Sequence, residues 1–154
     1  MILKKFAFAV LLILPFSIAG AAQAGGKLTP ATTEAKQFSA VKTSPAYAEL
    51  LLRKTEREAE LEEFAVDYTD EYPKVKEIKF EVNLINQAME RLLAVKAADA
   101  SKLTLALGKL LVRKTELGTD LYKLHQQYTD ERPEVKRLRR KIEIYEKAVK
   151  EILP

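Results

Sequence analysis

Seam positions recur along this chain at alternating steps of three and four, in four separate runs. The first is Leu50, Lys54, Arg57, Leu61, Phe64 and Tyr68, and the second is Val75, Ile78, Val82, Ile85, Met89 and Leu92. The third is Leu103, Leu107, Leu110, Lys114, Leu117, Leu121, Leu124 and Tyr128. The fourth is Val135, Leu138, Ile142, Tyr145, Val149 and Ile152. Such steps put side chains on one narrow stripe of an α-helix, whereas a strand needs a step of two. The pattern predicts four amphipathic helices.

The third and fourth runs repeat the first and second. An offset of 60 positions aligns Arg53-Lys54-Thr55-Glu56 with Arg113-Lys114-Thr115-Glu116, and Tyr68-Thr69-Asp70-Glu71 with Tyr128-Thr129-Asp130-Glu131. Pro73, Val75 and Lys76 align with Pro133, Val135 and Lys136. About a third of aligned positions are identical, which marks duplication of a supersecondary unit.

Within each unit the runs are separated by Tyr-Thr-Asp-Glu-x-Pro. Proline breaks a helix from within, because it has no amide hydrogen and clashes with the preceding turn, yet it suits the first position of a new one. It also pushes Tyr72 and Arg132 out of the α region. Thr69, Asp70, Thr129 and Asp130 are expected to accept hydrogen bonds from the free amides at the break. A tight reversal follows, although the heptad phase continues through the break and also suits a long kinked helix. Ser44-Pro45 is expected to start the first helix, and Asp99 or Ser101 to cap the third. The predicted fold is all-α: two tandem antiparallel hairpins, residues 44–96 and 101–153, forming an up-down-up-down four-helix bundle or coiled coil. Helices of about 20 to 26 residues make a rod of roughly 30 to 40 Å.

Residues 1–24 have the three-part secretory pattern: basic Lys4-Lys5, an apolar run from Phe6 to Ile18, then small residues up to Ala24, after which cleavage is expected. Residues 25–43 lack sustained periodicity and suggest a flexible linker. No later apolar stretch is long enough to predict a membrane span in the mature chain.

Composition narrows the chemistry. The formal charge is +4, which loss of Lys4 and Lys5 lowers to +2, too small a balance to suggest nucleic-acid binding. Cysteine is absent, which excludes disulfides, thiolate metal sites and a cysteine nucleophile. His125 is the single histidine, and it stands where the other unit has Ala65. Asp67, Asp70, Glu71, Asp130 and Glu131 lack the regular spacing and glycine of a calcium loop. Phosphate-binding glycine loops, nucleophile elbows and HExxH are absent. No catalytic residue, metal or cofactor is expected.

Charge is unevenly spread. Glu56, Glu58, Glu60, Glu62 and Glu63 crowd the first helix, and Lys136, Arg137, Arg139, Arg140 and Lys141 crowd the fourth. In a closed bundle these helices are neighbours, so the stretches are expected to be solvated faces, to fix pairing, or to leave a basic cluster that grips an anionic polymer. Lys54, Arg57 and Lys114 occupy seam positions, where long stems can cover the core while the charges reach the rim.

The string Tyr128-Thr129-Asp130-Glu131-Arg132-Pro133-Glu134-Val135-Lys136-Arg137-Leu138 resembles a segment of bacterial polysaccharide chain-length determinant and exopolysaccharide export proteins, and Tyr68 to Ile78 is a looser match. In that family the string sits in a long periplasmic coiled coil, with a histidine where this chain has Tyr72 and Arg132. The resemblance implies an extracytoplasmic helical hairpin and a link to polysaccharide export.

A periplasmic or secreted helical protein that works by contact is therefore expected: an adaptor, scaffold or assembly factor whose partner is an envelope protein or a second copy. The candidate contact residues are the hairpin tips, Tyr68, Thr69, Asp70, Glu71, Tyr72 and Pro73 with Tyr128, Thr129, Asp130, Glu131, Arg132 and Pro133. Turn chemistry alone also accounts for their repetition. The alternative is a carrier of anionic glycan or lipid that uses Lys136, Arg137, Arg139, Arg140 and Lys141.

Overall fold

A computed structural model describes residues 38–153. The expected leader and most of the 25–43 linker lie outside them. Residues 38–42 are helical and Val41 is fully buried, so this end of the linker stretch joins the core. The main elements are α1 (Pro45–Asp67), α2 (Pro73–Leu93), a 3₁₀ turn (Ala97–Lys102), α3 (Leu105–His125) and α4 (Pro133–Ile152). No strand occurs among the described residues, and none of their helices is long and apolar enough to cross a membrane.

Each unit is a hairpin, with α1 packed along α2 and α3 along α4. The reversals are near copies. Tyr68 and Tyr128 donate their amides to Phe64 and Leu124 carbonyls, at 2.9 and 2.8 Å. The Tyr72 and Arg132 amides then donate to Thr69 and Thr129 carbonyls, at 3.0 and 3.2 Å, closing the turn through backbone alone. Pro73 and Pro133 open the next helices, and no side chain caps either one. The capping role expected of Thr69, Asp70, Thr129 and Asp130 is thus not observed.

Helix starts repeat as well. Ser44 Oγ accepts the Tyr47 amide at 3.2 Å, and Thr104 Oγ1, 60 positions on, accepts the Leu107 amide at 3.3 Å. Thr104 replaces the expected caps Asp99 and Ser101 because residues 97–102 coil into the 3₁₀ turn, where Asp99 pairs with Lys102 at 2.7 Å.

The arrangement between units departs from a square bundle. α3 packs against α1, α2 and α4, whereas α1 and α4 do not pack along each other. The parallel α1–α3 contact is close because Gly108 meets Ala46. A Cβ at Gly108 would lie 2.8 Å from Glu49 Cβ and 2.9 Å from Ala46 Cα. The Ala46 amide, left free at the start of α1, donates to the Leu103 carbonyl at 3.2 Å. The core runs between the units, joining Leu50, Ile85 and Leu92 of the first to Leu103, Leu107, Leu111 and Val149 of the second.

Candidate functional site

The two tips sit side by side at one end of the bundle. Glu77 at the start of α2 meets Lys123 near the end of α3 at 3.5 Å. A cleft of about 510 Å³ opens between the first tip and the end of α3, lined by Tyr72, Lys74, Lys76, Tyr122, Lys123 and Gln127 among others. Each tip carries the same ionic clasp. Glu71 pairs with Lys76 at 2.5 Å and Asp70 with Lys79 at 2.7 Å. In the second tip Glu131 pairs with Lys136 at 2.6 Å and Asp130 with Arg139 at 2.5 Å. The acidic turn residues therefore reach forward to cations on the following helix and leave its first amides alone. Glu71 raises the Lys76 pKa, first by its hydrogen bond and then by its charge.

Aromatic packing differs between the tips in a compensated way. Tyr72 stacks on Tyr68 with centroids 4.1 Å apart, and Phe64 extends the stack. Arg132 replaces Tyr72 and lies over the Tyr128 ring at 4.6 Å, so a cation covers the same face. Tyr68 is 45% exposed and Tyr72 37%, which leaves an aromatic surface at the tip. His125 Nε2 lies 3.0 Å from Asp130 and acts as a third strut of the second clasp.

The basic cluster is dispersed by these contacts. Lys136 and Arg139 belong to the clasp, and Arg137 pairs with Glu134 at 3.4 Å. Arg140 and Lys141 are exposed and make no ion pair among the described residues. Because α1 and α4 are not packed neighbours, the glutamates of α1 do not neutralise them. Glu58 serves Lys54 at 3.4 Å, and Glu60 serves Arg57 at 2.6 Å and Lys74 at 3.3 Å.

A buried ionic node further in had no counterpart in the sequence reading. Glu81 of α2 is 4% exposed, and Arg53 of α1 reaches it at 2.7 Å while also touching Glu116 of α3 at 3.3 Å. Burial alone lowers the Arg53 pKa, but Glu81 and then Glu116 and Glu56 outweigh it, so the net shift is upward. Arg57 lies 4.0 Å from Glu81, with its Nε buried and unpartnered. A second node gathers Lys114 at 2.5 Å and Arg91 at 3.1 Å around Glu146 of α4. The Lys114 hydrogen bond is the main reason that the Glu146 carboxyl titrates below its usual range. Both nodes join helices of different units.

No protein-family model matches the chain, and comparison with curated proteins and with solved structures finds no match. Among the described residues no group of three or more His, Asp or Glu side chains is placed to hold a metal ion.

Proposed function

We propose that this protein works by contact as an adaptor, scaffold or assembly factor of the cell envelope, presenting its two hairpin tips to a partner. The observation that supports this reading is the pairing of the tips. Two copies of one turn, each stiffened by its own ionic clasp, stand at the same end, one presenting the stacked Tyr68 and Tyr72 and the other Arg132 over Tyr128. Rigid aromatic residues beside charged rims suit protein recognition, since they give up little conformational freedom on binding. The secretory pattern of residues 1–24 supports export, and the resemblance of Tyr128 to Leu138 supports a link to polysaccharide export.

A carrier of anionic glycan or lipid would need Lys136 to Lys141 as an open cluster. Three of its five cations close ion pairs with Glu131, Glu134 and Asp130, which favours the contact reading.

The test is a pull-down from cell envelope with the purified protein and with a Tyr68→Ala/Tyr128→Ala variant, at low and at near-physiological salt. A protein held by the parent at both salts and lost from the variant supports tip recognition. Retention of glycan alone, released as salt rises, refutes it and favours the carrier.

A further inference from the structure

The duplication leaves each unit with the surfaces of its twin, and inside the chain one such pair of surfaces is joined. Three of the contacts between the units lie where α3 meets α1 and α2; a fourth, Arg91 of α2 with Glu146 of α4, has the counterparts Glu151 and Asn86, which form no charge pair. Phe80 of α2 stacks on Tyr122 of α3 at 4.3 Å, Glu77 pairs with Lys123 at 3.5 Å, and Arg53 of α1 pairs with Glu116 of α3 at 3.3 Å. Moved 60 positions, from unit one to unit two and from unit two back to unit one, each contact names a new pair of residues. Phe80–Tyr122 becomes Arg140 against Glu62, Glu77–Lys123 becomes Arg137 against Glu63, and Arg53–Glu116 becomes Arg113 against Glu56.

All three transposed pairs carry opposite charges. The aromatic pair has become an ion pair, and the Glu–Lys pair has exchanged signs. Among the described residues Arg140, Glu62 and Glu63 are exposed and make no ion pair, whereas Arg137, Arg113 and Glu56 pair locally with Glu134, Glu116 and Arg53. The apolar recess has transposed counterparts as well. Leu84 and Leu111 line one apolar recess between α2 and α3, and their counterparts Ile144 and Leu51 are 65% and 46% exposed. Since α1 and α4 do not pack along each other, the two surfaces do not satisfy one another within one chain.

We infer that the occupant of the exposed α4 face is the α1 face of a second copy of this chain, set as unit two is set on unit one. The inference does not depend on the tips being a recognition site. Tips of associated copies then point the same way. The new junction is wider than the internal one, because Ala48 and Glu58 stand where Gly108 and Gly118 permit close approach. Long charged side chains span such a gap, so the association is carried by ion pairs and weakens with salt.

The experiment is sedimentation of the full chain at about 20 mM and about 500 mM salt. It includes two charge reversals, Arg137→Glu/Arg140→Glu and Glu62→Lys/Glu63→Lys, each alone and mixed in equal amounts. The parent is expected to associate at low salt and to bind about tenfold more weakly at high salt. Each reversal alone sets like charges against like and stays monomeric. Mixed, the reversals restore complementarity at both α4–α1 junctions, and association returns. A parent that remains monomeric at low salt overturns the inference, as does a mixture that remains monomeric while the parent associates. The single reversals Arg140→Glu and Glu62→Lys allow the same cycle if a double variant loses its helicity.

Discussion

Gly108 and Gly118 stand ten positions apart on α3, and replacing each with alanine is expected to move stability in opposite directions. Alanine is favoured over glycine in a helix by about 1 kcal/mol, and that gain is common to both sites. At Gly118 the added methyl meets one atom, Leu84 Cδ1 at 2.8 Å, the far end of a side chain that can change rotamer. The gain survives there, and Gly118→Ala is expected to be neutral or up to about 1 kcal/mol more stable. At Gly108 the methyl meets Glu49 Cβ at 2.8 Å, Ala46 Cα at 2.9 Å and the Ala46 carbonyl oxygen at 3.1 Å. Two of these atoms are backbone, and the Ala46 amide is fixed by its bond to Leu103, so the first turn of α1 must move bodily. Overpacking costs about 1–3 kcal/mol, and a clash with fixed backbone belongs at the upper end, about 2–3 kcal/mol, which leaves Gly108→Ala less stable by roughly 1–2 kcal/mol after the helix gain. Urea unfolding followed by far-ultraviolet circular dichroism reads both variants against the parent. The reasoning is refuted if Gly108→Ala is as stable as the parent, or if the two substitutions shift the midpoint equally.

Two further predictions concern the ionic nodes. Arg53→Met leaves the Glu81 carboxylate buried with Arg57 alone at 4.0 Å, and is expected to destabilise by about 3–5 kcal/mol. Adding Glu81→Leu removes the stranded charge, so the double variant should recover most of that loss; a simple sum of the two single effects would contradict it. Glu146 has a lowered folded-state pKa, so its contribution is present above the unfolded value of about 4.3 and fades as pH falls through the folded value. Glu146→Gln should flatten the acid limb of the stability–pH curve below about pH 5, and an unchanged limb would exclude Glu146 as a source.

The sequence announced the helices and hairpins because each is a local matter of periodicity and turn chemistry. Val75, Ile78, Ile85, Met89 and Leu92, all on the predicted stripe of α2, are buried. The side-by-side tips follow from two hairpins of equal length. Which helices would touch was less legible, because one heptad stripe specifies one buried face and α3 has more than one. Leu111, Thr115 and Thr119 are buried off its stripe, with the threonine hydroxyls donating to Val112 and Thr115 carbonyls. Gly108 and Gly118, absent from the corresponding positions of α1, were the available sign that α3 admits close neighbours. The adjacency of α1 and α4 that a square bundle implies is absent, because Gly108 draws α1 onto α3. Glu81 was missed for a related reason. It lies on the buried side of α2 beside Val82, and only the heights of Arg53 and Arg57 on α1 explain a carboxylate there.

The core that runs between the units has a consequence for synthesis. Once α2 has been made, the first hairpin has every residue of its turn and its clasp, but Leu50, Ile85 and Leu92 still lack the leucines of α3 that cover them. Translation at roughly 5–20 residues per second needs about 1–4 s to pass from Leu93 to Leu111. Throughout that interval the nascent hairpin is shaped yet sticky, with an apolar flank facing whatever surrounds the emerging chain. That flank is covered only when the second hairpin arrives and Gly108 settles against Ala46.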